Sequence, residues 1–433
     1  MLHKLILLLS ELEHLSSLCN RCGMCQMHCP VFLETKNESD VARGKLALIN
    51  GIAAEILKHP EKVLSRLNNC LLCGACSSGC SRNVKTIEIF IKARIIITEY
   101  TGLSLIKRLL LKKIVSHPGI FDKSINLIKK FQHLFFKSGN DSHNSIAPRL
   151  YMPFFRGRQL QPLAADTFHS QIEKRDKPKQ VDQTPKKLNV IFFTGCLIDK
   201  IMPEVGLSCI EVLEYHNVNV LTFEQEGCCG IPSLASGDMD SFNKLVEHNS
   251  RLLNIGNIDF IVTACATCTY TINKLWPMIY KGERLSEIDA IAGKTTDITQ
   301  FVVSNFLSGK NKAEKHSEDH QSIVTIHDPC HLKKSLNIQG ELRTLVKANR
   351  GCLLQEMDNP GTCCGFGGTF NLTNYKLSSK IGEKKCRAIE DSKAEIVATG
   401  CPACMLQLKD QLAKNQTTVR VKHVVEVYAD SLK

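Results

Sequence analysis

Five cysteines in one fixed order, a single Cys, an adjacent Cys-Cys pair and a Cys-x-x-Cys, occur twice in this chain. The first set is Cys196, Cys228, Cys229, Cys265 and Cys268; the second is Cys330, Cys363, Cys364, Cys401 and Cys404. Equivalent members lie 134 to 136 residues apart, and the text around them repeats as well: "KLNVIFFTGCL" matches "QSIVTIHDPCHL", and "EQEGCCGIPS" matches "NPGTCCGFGG". Likewise "IDFIVTACATCTYTI" matches "AEIVATGCPACMLQL". A duplicated unit is therefore expected, each copy drawing its cysteines from three separate segments. In each copy a β-branched run (190–193; 323–326) ends near the first cysteine, and a second apolar run (258–263; 396–399) ends at the Cys-x-x-Cys. A helical stretch follows each run. That alternation predicts an α/β layer with a mainly parallel sheet, whose functional loops lie at the carboxyl ends of the strands.

Three chemistries compete for the adjacent pair. A vicinal disulfide would need a strained ring and would leave the other three cysteines unexplained. A phosphate-binding glycine loop would need its glycines in both copies, yet Gly365, Gly367 and Gly368 face only Gly230 before Ile231 and Pro232 in the first. Convergent thiolate ligation accounts for all ten residues. Five sulfurs per copy exceed what tetrahedral zinc needs, which favours a cluster, with zinc in one copy still open.

The first hundred residues carry a different signal. "CNRCGMCQMHCP" gives Cys19-x2-Cys22-x2-Cys25-x3-Cys29-Pro30, and "CLLCGACSSGC" gives Cys70-x2-Cys73-x2-Cys76-x3-Cys80. Paired runs of this kind are the bacterial ferredoxin pattern, in which the fourth cysteine of each run ligates the other cluster. The expected sets are Cys19, Cys22, Cys25 and Cys80 for one [4Fe–4S] cluster, and Cys70, Cys73, Cys76 and Cys29 for the second. The small residues Gly23, Gly74, Ala75 and Gly79 would let backbone amides face the cluster sulfides. Nothing in this zone offers an acid, base or nucleophile arrangement, so storage or transfer of electrons is the expected task.

The chain has 433 residues, enough for several domains, and 21 cysteines, an odd number set in short-spaced groups. That usage favours metal ligation over a disulfide framework. The apolar start "MLHKLILLLS" is followed by Glu11 and Glu13 with no apparent cleavage site, so a cytoplasmic, reduced protein is expected. The net charge of +12 is local: residues 101–190 hold 17 Lys/Arg against 6 Asp/Glu. A nucleic-acid partner is not expected from so confined an excess; the segment reads as a helical connector, or as a docking surface for anionic lipid or an acidic partner. Cys209, Cys352 and Cys386 fall outside the patterns and read as small buried residues. His327 and His331, flanking Cys330, read as hydrogen-bonded loop histidines.

The wording "TGC…GCCG…CATC" and "DPCH…TCCGFGGTF…CPAC" resembles the duplicated cysteine-rich CCG domain of heterodisulfide reductase subunits. The whole layout resembles the glycolate oxidase iron–sulfur subunit family. The resemblance implies a helical ferredoxin-like domain over 1–100, a basic helical connector over 101–187, and CCG domains over 188–310 and 320–433. It also implies one or two non-cubane [4Fe–4S] clusters held by the five-cysteine sets, and FAD only on a partner subunit. In that reading an FAD-containing 2-hydroxyacid dehydrogenase subunit is the partner, with contact to quinone and to the inner face of the membrane left open. A catalytic heterodisulfide-reductase-like subunit is the alternative. No Gly-x-Gly-x-x-Gly fingerprint follows a first strand, which puts substrate oxidation on the partner.

Overall fold

The computed structural model describes residues 2–139, 143–149, 155, 157–175, 188–307 and 321–433. Its chain divides into two compact units, and neither is contiguous. The first comprises Met1–Ser116, Gly230–Lys244 and Thr362–Lys385; the second comprises His117–Cys229, Leu245–Gly361 and Cys386–Lys433. The expected boundaries at 187, 310 and 320 lie outside the described residues.

The first unit is helical. Apolar residues at helical spacing turn one face of the Ala42–Ala53 helix inward, burying Leu46, Ile49 and Ile52. The Pro60–Asn68 helix starts on Pro60, whose fixed φ suits a first turn, and buries Val63 and Leu67. Pro60–Asn68 packs with Ala42–Ala53 and with Thr86–Thr101, which contributes Ile89, Phe90 and Ile97 and stops at Gly102. Each such aliphatic side chain contributes about 1.5–3 kcal/mol by leaving water. The first four-cysteine run precedes these helices, and the second lies between Pro60–Asn68 and Thr86–Thr101. Each run carries a glycine in the left-handed region, Gly23 (φ 88°) and Gly74 (φ 72°), immediately before a short helix, Met24–His28 and Ala75–Ser78. Only glycine holds that conformation cheaply, and here it turns the chain back within each run.

The second unit is α/β. An antiparallel hairpin, β1 (Phe136–Ser138) and β2 (Ile146–Pro148), precedes two four-stranded sheets. One sheet contains β3 (Asn189–Phe192), β4 (Asn219–Leu221), β5 (Phe260–Thr263) and β6 (Thr295–Asp297), ordered β4-β3-β5-β6. The other contains β7 (Ser322–His327), β8 (Cys352–Leu354), β9 (Ile396–Thr399) and β10 (Arg420–His423), ordered β10-β9-β7-β8. All pairings within the two sheets are parallel, and the orders are equivalent strand for strand, so the duplication is one of topology. Val190, Ile191 and Phe192 are fully buried, as are Val397 and Ala398, in keeping with parallel sheets covered on both faces. Cys196, Cys265, Cys330 and Cys401 follow the carboxyl ends of β3, β5, β7 and β9.

The basic stretch contributes to both units. Leu105–Leu109 runs into a π-helical turn, Leu110–Val115, in the first; Pro118–Phe135 and Phe168–Lys174 are helices of the second. No helix among the described residues is long and apolar enough to cross a membrane.

Candidate functional site

In the first unit one cavity is lined by Cys29 from the first run and by Cys70, Cys73 and Cys76 from the second. Leu71, Leu72, Asn69, Asp40, Thr86 and Phe90 complete its wall. Hydrogen-bond donors face the sulfurs: the Leu72 amide is 3.4 Å from Cys70 Sγ, the Phe32 amide 3.5 Å from Cys29 Sγ, and Thr86 Oγ1 3.0 Å from Cys76 Sγ. Burial pushes the Cys76 thiol up to about 12 and raises that of Cys29. Four converging half-buried cysteines, of which Cys29 and Cys76 resist ionising alone, with amides near Cys29 and Cys70, suit a cationic iron–sulfur core that would draw off their protons.

The other N-terminal set is more exposed. Cys22 is open to solvent, and Cys19, Cys25 and Cys80 are half-buried. The Met24–His28 helix, which carries Cys25, packs against Ala75–Ser78, which leads to Cys80. The Arg43 guanidinium is close enough to feel Cys25 and Cys22, and it is itself bound by the Glu38 carboxylate.

Copy one lies wholly in the second unit. Cys196 and Cys228 sulfurs are 3.9 Å apart, and Cys268 hydrogen-bonds both Cys229 and Cys265. Cys265 also meets Cys401, so the two copies touch at equivalent cysteines. The Ala266 amide donates to the Gly400 carbonyl at the same place. The adjacent pair is pinned through its backbone: Trp276 Nε1 donates to the Cys229 carbonyl at 2.9 Å and Asn249 Nδ2 to the Cys228 carbonyl at 3.0 Å. Glu226, two residues before the pair, accepts the Thr194 and Gly195 amides on Oε2, and burial pushes its carboxyl up to about 8.

The cysteines of copy two are divided by unit membership. Cys330, Cys401 and Cys404 belong to the second, whereas Cys363 and Cys364 belong to the first. In the second unit Lys334 Nζ is 3.8 Å from Cys330 Sγ, and Asp328, fully buried, is held by Lys333 and Arg343. In the first, the Gly365 amide reaches Cys363 Sγ at 3.4 Å. Gly367 (φ 57°) brings its backbone so close to Leu71 that an added Cβ would sit 2.5 Å from Leu71 Cδ2. The Cys-Cys loop of copy two therefore rests on the loop that carries Cys70 and Cys73.

The two histidines differ. His331 Nδ1 lies 3.3 Å from Thr267 Oγ1 and its ring packs on Tyr270, as expected of a bonded loop histidine. His327 is fully buried, neither ring nitrogen has a hydrogen-bond partner among the described residues, and it lies within 4.8 Å of Cys404 Sγ. Phe193 takes the equivalent place in copy one, so the two sites differ in polarity. Cys209 and Cys386 are buried, while Cys352 is half-buried in β8. Sequence reasoning missed Arg43, Lys45 and Arg94, which reach the cysteine loops from positions with no motif of their own, and Glu226, which stands within the quoted "EQEGCCGIPS" without being singled out.

Comparison with known families places these motifs together. Residues 16–84 match the 4Fe-4S dicluster domain, and residues 190–273 and 324–409 match the Cysteine-rich domain, CCG. The probable glycolate oxidase iron-sulfur subunit of Bacillus subtilis (strain 168) is 25% identical over 94% of this chain and 91% of its own length. The chain belongs to the glycolate oxidase iron–sulfur subunit family. Lactate utilization protein A of Geobacillus sp. (strain WCH70) is 28% identical over 55% of this chain and 98% of that protein. A subunit of the fumarate reductase (CoM/CoB) of Methanothermobacter marburgensis is 33% identical over 64% of this chain and 53% of that protein. The names of these relatives point to different substrates.

Proposed function

We propose that this chain is the electron-transfer subunit of a flavin-dependent 2-hydroxyacid dehydrogenase or oxidase complex. A partner FAD subunit oxidises a glycolate- or lactate-type substrate, and this chain carries the electrons towards quinone or another acceptor. The observation that carries the reading is the cavity on which Cys29 joins Cys70, Cys73 and Cys76. Those four residues hold one [4Fe–4S] cluster, and Cys19, Cys22, Cys25 and Cys80 hold the other. Such clusters supply one-electron storage, which a two-electron flavin needs in order to deliver its electrons singly. The ten cysteines of the CCG copies supply thiolates for further clusters, or for zinc in one copy.

Contact with an anionic membrane surface is part of the proposal. The Pro118–Phe135 helix exposes Ile120, Leu127, Phe131 and Leu134, and Lys123 and Lys130 stand on the same side at helical spacing. Its one acid, Asp122, is 2.8 Å from Lys200. An apolar stripe edged by lysines is the pattern of a helix that lies in a lipid headgroup layer.

The test is anaerobic purification with iron, sulfide and zinc analysis, followed by reduction with glycolate or lactate. Bleaching of the brown chromophore is expected only when a co-encoded flavoprotein is added. Turnover of a heterodisulfide by the chain alone would overturn this reading in favour of a catalytic subunit, and a colourless zinc protein would overturn it altogether.

A further inference from the structure

Two cations that ligate nothing are buried beside the cavity of Cys29, Cys70, Cys73 and Cys76. Arg94 is 2% exposed; its Nη2 donates to the carbonyls of Leu67 and Cys70, the latter at 2.9 Å, and its Nη1 to the Ala235 carbonyl at 2.8 Å. None of these partners is a carboxylate. Lys45 is 1% exposed and donates to the carbonyls of Ser39 and Asp40. The Asp40 carbonyl also accepts from Cys29 Sγ at 3.8 Å. Carbonyl dipoles satisfy the Lys45 ammonium and both Arg94 Nη groups, though not Arg94 Nε, and they leave the charges uncancelled.

The neighbouring charges are few. The Asp40 carboxylate is buried, accepts from Asn69 at 3.2 Å and lies 3.9 Å from Arg66, which is largely exposed. Against one buried acid, then, stand two buried cations. Cys70 acts electrostatically on both Arg94 and Lys45, and Cys29 also acts on Lys45. The other N-terminal set is balanced differently: Arg43, partly in water, is matched by Glu38.

Burying a guanidinium without a counter-charge is costly, and the charge persists because arginine does not deprotonate in proteins. The missing counter-charge is supplied by the thiolate-bound cluster, whose negative charge grows by one on reduction. Burial alone would disfavour that extra charge, whereas cations in a low dielectric favour it.

We propose that Arg94 and Lys45 set the reduction potential of the Cys29–Cys70–Cys73–Cys76 site above that of the Cys19–Cys22–Cys25–Cys80 site, making it the electron sink of the pair. Arg94 and Lys45 thus act as positioning residues for charge, without touching any substrate. Within the same unit Leu71 lies close to Gly367, which follows Cys363 and Cys364, and Arg94 donates to the Ala235 carbonyl. One electron moves and no bond forms or breaks; the reductant is the partner's reduced flavin, or dithionite in the test. The proposal rests on the reading that both N-terminal sets hold [4Fe–4S] clusters.

The experiment is an EPR-monitored redox titration of the full, anaerobically reconstituted chain. Cys73→Ser identifies the component belonging to this site by altering its signal. In the wild type that component is expected to have the higher midpoint. Arg94→Gln and Lys45→Gln should each lower it and leave the other component unmoved, whereas Arg94→Lys should restore it. Should Arg94→Gln fail to fold, Lys45→Gln decides by the same readout. Fully loaded variants with unmoved midpoints, or a wild type with the order reversed, overturn the proposal alone. A wild-type chain that binds fewer than about eight irons overturns the cluster reading, and the proposal with it.

Discussion

His423, at the end of β10, shows how one buried side chain couples the fold to pH. It is fully buried, its Nδ1 accepts from the Val425 amide at 3.2 Å, and burial pushes its pKa down to about 4. Below the ordinary imidazole value of 6.5 the unfolded chain takes a proton that the folded chain refuses, so this residue's contribution is lost as pH falls from about 6.5 to 4. Its neighbour Glu426, pushed by burial up to about 7, tilts the other way: it favours the folded state as pH falls from 7 towards 4.5. The difference between wild type and His423→Asn isolates the histidine, because asparagine keeps a capping oxygen. Urea midpoints at pH 7.5 and pH 4.5 should show the variant gaining on wild type by about 2–3 kcal/mol at the lower pH; parallel pH responses would refute the assignment. Asp297 occupies the equivalent cap at the end of β6, so the repeat kept the position and changed its chemistry. None of this is legible in sequence. Cysteines announce themselves because ligation demands their spacing, whereas Lys45, Arg94 and His423 resemble any charged residue on an amphipathic element. Only burial sets them apart.

Elements were more legible than single residues. The apolar runs before Cys265 and Cys401 became β5 and β9, because β-branched residues bounded by small ones suit a strand covered on both faces. The short outer strands β4, β6, β8 and β10 left no such mark: "NVL" and "TTD" carry too few residues to show a period. The Pro118–Phe135 helix was visible as a basic stretch, but which side faces water was not. That exposed stripe gives a direct expectation. The full chain should sediment with vesicles containing anionic phosphatidylserine at low salt and be released at high salt. Leu127→Glu with Phe131→Glu should weaken sedimentation about tenfold or more without altering the visible spectrum. Equal binding to neutral vesicles would show that the lysines play no part.

For the molecule as a whole, the sequence suggests beads on a string, and the fold interleaves them. Residues Gly230–Lys244 and Thr362–Lys385 leave their repeats to complete the N-terminal unit. No composition shift marks these excursions, since their apolar residues would pack equally well in either place. Gly367 makes the interleaving testable. Gly367→Ala places a Cβ 2.5 Å from Leu71 and puts alanine in the left-handed region, a strain of about 1–3 kcal/mol. A change in the second repeat should then speed loss of iron from the Cys70 loop. Bleaching in air, followed in the visible spectrum, should be several-fold faster than wild type; an unchanged rate would mean that the contact does not seal the site.

The same interleaving sets an order of events during synthesis. Cys19 to Cys80 leave the ribosome early, but the segments that finish their unit end at Lys385. At roughly 5–20 residues per second the wait is about 15–60 s. For that interval the eight thiols stand on an unfinished scaffold, open to whatever delivers iron and sulfide and equally to oxidants. Arrival of the last segment completes that scaffold and sets Gly367 against Leu71 beside Cys70, so the order of synthesis decides when that loop is covered.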